Sequence, residues 1–293
     1  MFVLISLTII LICILLLFMH SQTRAVNDQR HLDNLHLLRQ LIELCRTHRT
    51  LTHQVLVEGN HTSHSTLKAL FKLKEQIKAI SAQARKISTT SDKAKYRVLQ
   101  INLTLLCKEW RMHSINRNQI SHGKVIRHCL YLMDEQIVTW MIEAYREDLT
   151  EQYHQDWQLI CEAMECLTQL RMCIQDTETE TGRKRYLHYG HLILRRLNQI
   201  SVNCSVPISS DVLFSLNDVL NRLSNESYKE KPMDIAALYK LTNGISAFLF
   251  GSYDKVISAI CEELYEPLPE ILEYMPTDKT RNYEIKKPAN SGF

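Results

Sequence analysis

Arginine is the side chain whose placement in this sequence most invites chemistry. Read as a helix, Leu35–Gly59 sets Leu38, Ile42, Cys45, Arg49, Thr52 and Leu56 along one face, three or four residues apart. Every member except Arg49 is apolar or small, and Arg46 lies one position off the stripe. A guanidinium on a core-facing stripe is costly unless something anionic meets it. That anion is either a carboxylate of this chain, with Asp134, Glu135 and Glu143 the candidates, or a bound ion. Arginine suits a small planar oxyanion because its fork of donors is flat and weakly hydrated. Two arginines on facing helices would meet such an ion edge-on. Without it they repel, so binding would favour the packed arrangement through its differential affinity.

Other chemistry finds less support. Glu58-x-x-His61 and Glu151-x-x-His154 have the spacing of di-iron ligands in helical bundles. Glu58 abuts Gly59 at a helix end, however, and Glu151 lies in a polar stretch, so both read as chance. His188 and His191 could share one face of a metal, but no third ligand accompanies them. There is no GxSxG, glycine-rich phosphate loop or nucleophile–base pair. No metal, no cofactor and no enzymatic activity are therefore expected. A net charge of +3 with both signs mixed, and no nucleic-acid-binding motif, argue against DNA or RNA as a partner. The nine cysteines are odd in number, include no CxxC and fall mostly on apolar helix faces, which fits a reducing compartment.

The elements that must position these residues are helices. Seven glycines and six prolines in 293 residues leave few breaks, which predicts an all-α protein. Phe2–Met19 carries no charge and, continued to His20, just reaches the length needed to cross a bilayer. Nothing basic precedes it and no small-x-small cleavage site follows, so residues 1–20 read as an uncleaved transmembrane anchor. Arg24 and Arg30 follow the span, which places the body in the cytoplasm of a cell with the anchor in its inner membrane. Four sequons, at Asn60, Asn102, Asn203 and Asn225, read as chance matches.

Beyond the anchor, the spacing predicts helices over about 26–58, 63–87 and 93–112. A long pattern follows over about 116–175, with a bend near Arg146–His154, then helices over 183–202, 211–226 and from Pro232 to about Glu266. Short loops predict antiparallel neighbours, most simply two four-helix bundles sharing long helices. The helical body covers 26–275, and 276–293 is expected to be a disordered tail. The run Gly182-Arg183-Lys184-Arg185 reads as a solvated helix start, with a dock for anionic lipid headgroups as its alternative.

Three stretches resemble one known family, the bacterial nitrate- and nitrite-sensing (NIT) domains. Leu37–Leu56, centred on His48-Arg49-Thr50-Leu51-Thr52, is similar to that family's "ERGLS" helix. Trp110, Arg117 and Ile126-Arg127-His128-Cys129-Leu130-Tyr131 look like its middle helices, and Ala236–Ile245 like its "YF-x-x-A-T-x-A-I" closing helix. The sequence departs from the motifs: His48 and Thr50 replace the Glu and Gly of "ERG", and Leu238-Tyr239 replaces the aromatic pair. The resemblance implies an all-α fold of two four-helix bundles that senses nitrate or nitrite through arginines. By motif it carries over Arg49 and then Arg127 and Arg117, with Arg46 a neighbour. Members of the family attach the domain to an output module. None follows in this sequence, so the signal is expected to pass to a separate, unidentified signalling protein or through the membrane helix. Self-association as a homodimer is left open. The alternative reading is a helical scaffold or protein-interaction module whose arginines are paired internally.

Overall fold

The computed structural model describes residues 2–225 and 233–264; the expected tail at 276–293 lies outside them. Among the described residues the protein is all-helical. Eight α-helices run in the order α1 (Phe2–Glu58), α2 (His64–Ile87), α3 (Lys93–Glu109), α4 (Ile115–Glu143), α5 (Thr150–Cys173), α6 (Glu180–Asn203), α7 (Ser210–Ser224) and α8 (Ile235–Leu264).

The first of these differs from the expectation of a separate anchor and body helix, because α1 is unbroken from Phe2 to Glu58. No glycine or proline lies between His20 and Val26, and the Thr23 hydroxyl donates to the Met19 carbonyl at 2.9 Å, within the helix itself. The apolar N-terminal third of α1 is long and apolar enough to cross a membrane, and Leu7, Ile10, Leu15 and Phe18 there are exposed. From about Leu32 the same helix is packed into the body.

Short, capped turns then fold the chain back on itself. Ser63 caps α2 by accepting from Thr66 N–H, and Ser114 caps α4 by accepting from Arg117 N–H. Thr179 caps α6 through Gly182 N–H. A side chain at Gly182 would strike the Asp176 carbonyl oxygen at 1.9 Å, so this turn closes only on glycine. The bend expected inside 116–175 is a full stop. Tyr145 takes a left-handed backbone (φ 58°), Tyr145 N–H bonds back to Ile142 and Arg146 N–H to Met141, and α5 restarts at Thr150.

α1 lies against α2 and α4, α2 against α3, and α3 against α4. α5 packs on α6 and α8, while α7 touches both α6 and α8. The two sets meet where α4 contacts α5 and where side chains of α1 reach α8. Asp28 accepts from the Trp140 indole at 2.8 Å and Thr52 accepts from the Asn118 amide at 3.0 Å, so α1 and α4 run antiparallel. Trp110 and Trp140 are core residues as expected; Trp157 is half-buried against Tyr131 and Tyr253. All nine cysteines are free thiols, and all but Cys13 and Cys161 are buried. The α5–α6 turn lies one helix length, about 36 Å for the 24 residues of α5, from the end of the body that the apolar run of α1 leaves. The basic run at Gly182–Arg185 opens α6 at that far end of the body, away from the apolar run.

Candidate anion site

Four helices, α1, α4, α5 and α8, converge on one small cavity. Arg49 enters it from α1, Gly123 and Arg127 from α4, Thr168 and Arg171 from α5, and Phe250 from α8. Its volume is about 20 Å³, somewhat more than the roughly 10–15 Å³ that one water requires.

Arg49 is the residue that the stripe singled out, and it is buried, at 5 % exposure. None of the three carboxylates considered as partners pairs with it. Glu135 binds Lys95, Glu143 binds His31, and Asp134 shares a hydrogen bond with Tyr153. The carboxylate whose charge does act on Arg49 is Glu43, which is held by Arg46 Nη1 at 2.6 Å. Burial, then the charge of Arg46, press the Arg49 pKa down to about 9.

Arg171 was not among the residues expected. It is as buried as Arg49, and its own pKa is driven down by burial and then by the charges of Arg49 and Arg46. Its Nη2 donates to the Thr242 carbonyl at 2.8 Å and its Nε to the Thr242 hydroxyl at 3.2 Å; no carboxylate pairs with it among the described residues. The signal was present in the sequence. Ile160, Ala163, Met164, Leu167, Leu170 and Ile174 form a stripe in which Arg171 is the one charge, as Arg49 is in α1.

The other expected residues differ in their situations. Arg46 lies near the pair, with its guanidinium 4.8 Å from the Phe250 ring and its Nε buried without a hydrogen-bond partner. Arg127 lines the cavity but is paired, to Glu165 at 2.9 Å, and donates to Thr168 at 3.3 Å. Arg117 is not brought to this place. It is exposed in the first turn of α4 and lines a separate hollow with Glu109, His113 and Lys124.

Beside the cavity a chain of buried polar groups crosses the α1–α4 seam. His122 Nδ1 donates to the Asn118 carbonyl at 2.8 Å, which leaves its Nε2 to accept from His48 Nδ1 at 2.9 Å. Burial holds the His48 pKa at about 4, and burial followed by the charge on His48 lowers that of His122. Both rings are neutral at pH 7 and add no positive charge to the arginines. His53, whose ring lies tilted against Tyr239 with centroids 3.9 Å apart, is likewise held neutral with a pKa of about 4, by burial and then by Arg171 and Arg49. Among the described residues no group of three or more His, Cys, Asp or Glu is placed to hold a metal.

Comparison with models of known protein families, with curated proteins and with solved structures finds no match to this chain.

Proposed function

We propose that the protein is a single-pass, membrane-anchored binding protein for a small oxyanion of the nitrate or nitrite type, built as two four-helix bundles (α1–α4 and α5–α8). The supporting observation is that Arg49 and Arg171 line one cavity and that, among the described residues, no carboxylate is paired to either. A guanidinium in a low-dielectric seam lowers its neighbour's affinity for a proton, as the charges of Arg49 and Arg46 do to Arg171, and an anion held there relieves that repulsion. The size of the cavity limits the ligand to an ion of a few atoms. Met164, an unbranched side chain in its wall, is best able to give way.

Arg127 and Arg46 serve as a rim whose charge is already balanced by Glu165 and Glu43. Binding favours the arrangement in which α1 and α5 are drawn together. The signal has a direct route, because Arg49 and the apolar run belong to one helix. About 45 Å of continuous α1 separates Arg49 from Met19.

One observation favours the scaffold reading: Arg127, Arg46 and Arg171 each have partners within the protein. Calorimetric titration with nitrate and with nitrite separates the two readings. The binding protein gives a saturable heat that Arg49→Ala abolishes. The scaffold gives none in either protein.

A further inference from the structure

Tyr145 occupies a position that its fold does not favour. It sits just past the end of α4 with a left-handed backbone (φ 58°), where glycine or asparagine is usual because a Cβ crowds the neighbouring carbonyl. Packing does not compensate: its side chain is 82 % exposed, and it makes no ring contact or side-chain hydrogen bond among the described residues. Ile142, one turn earlier, is also exposed, at 53 %. The two therefore present apolar surface at the tip of a turn where a small polar residue would be more stable.

The location of the turn accounts for this. Tyr145 and Glu143 line a hollow of about 260 Å³ together with His20, Thr23 and Arg24 of α1. His20 ends the apolar run, and Thr23 is three residues, about 4.5 Å, beyond it. A headgroup layer is about 5–8 Å deep on each side of the hydrocarbon, so Tyr145 lies at headgroup depth when α1 spans the bilayer. Tyrosine suits that layer because its ring is apolar and its hydroxyl is wet. We propose that the α4–α5 turn is seated in the lipid headgroup layer, with Tyr145 and Ile142 touching the membrane, so that the helical body rests on the bilayer. The proposal rests on the reading of α1 as an anchor. In the same turn Arg146 is paired with Asp148 and Glu263 while Glu147 is exposed, so the seat carries no excess positive charge and suits zwitterionic rather than anionic headgroups.

The test uses the full chain in phosphatidylcholine nanodiscs, with lipids carrying a nitroxide quencher either near the headgroup or deep in the chain. Tyr145→Trp adds one exposed indole, Leu11→Trp reports on the anchor, and Phe71→Trp, in the equally open face of α2, reports on a surface far from the lipid. The added emission of Tyr145→Trp is expected to fall about twofold or more with the shallow quencher and less with the deep one, as for interfacial aromatics. Leu11→Trp responds to the deep quencher, and Phe71→Trp to neither. If Leu11→Trp is quenched while Tyr145→Trp responds only to aqueous acrylamide, the anchor stands and the seat is overturned. Equal quenching of Tyr145→Trp and Phe71→Trp overturns it as well. If Leu11→Trp is not quenched by either lipid, the anchor reading fails and the seat fails with it.

Discussion

His48 and His122 face each other through a single hydrogen bond in a buried seam, which ties the stability of this protein to pH. Their folded pKa values lie below the ordinary value of 6.5, so the unfolded chain binds protons that the folded chain refuses. The stabilisation is complete above about pH 6.5 and is lost as pH falls from there toward about 4. The loss should be on the order of 2–3 kcal/mol for His48, seen as a falling denaturant midpoint. His48→Gln should flatten that dependence. A wild-type midpoint unchanged between pH 7 and pH 4.5 would show that the imidazoles are not held neutral. Arg49 is the opposite case, a buried side chain that keeps its charge at neutral pH because its pKa, though lowered, stays at about 9. Arg49→Met should stabilise the anion-free protein by about 1–3 kcal/mol, since an apolar chain of similar volume replaces an unpaired buried cation. Nitrate at a hundredfold excess over its Kd should then raise wild-type stability by about 2.7 kcal/mol and leave Arg49→Met unmoved. Arg49 and Arg171 are both legible in the sequence as charges interrupting apolar stripes. Their lack of carboxylate partners among the described residues is not, because it depends on Glu135, Glu143 and Asp134 finding Lys95, His31 and Tyr153.

At the scale of the element, α4 carries both a glycine inside it and a tyrosine just past its end that cost stability. A Cβ on Gly123 would meet Thr168 and Arg127 at 3.6–3.8 Å, ordinary contact distances, so Gly123→Ala fits. It should stabilise the helix by about 0.5–1 kcal/mol while filling part of the cavity and weakening anion binding. Stabilisation without any change in binding would mean that the α4 wall is not part of the site. Tyr145→Gly should raise the unfolding free energy in detergent by about 1 kcal/mol, by removing the left-handed Cβ. An unchanged or lower value would remove the claim of strain at this turn. Periodicity located the helices well, because each amphipathic stripe is bounded by capping residues such as Ser63 and Ser114. It placed a bend within 116–175 near the right residues. It missed that the chain stops there on a tyrosine, since glycine is the usual signal for such a stop.

Across the whole molecule, α1 is both the apolar N-terminal helix and a wall of the candidate site, and every functional proposal passes through it. An apolar run and an amphipathic helix were visible as separate segments. Their fusion followed from the absence of a breaker between His20 and Val26. The meeting of Arg49 with Arg171 was not visible, because it depends on how α5 and α8 register against α1, which is set by contacts far apart in sequence such as Arg39 with Asp254. The register also separates Arg117 from the other arginines, although its position in a family-like stretch suggested otherwise. Nitrate titration of the full chain in nanodiscs, with Arg49→Ala, Arg171→Ala and Arg117→Ala run side by side, addresses this most directly. The expected outcome is at least about a tenfold loss of affinity, or about 1.4 kcal/mol, in the first two, with Arg117→Ala indistinguishable from wild type. No binding to the wild-type protein, or equal loss in all three variants, would contradict a shared Arg49–Arg171 anion site.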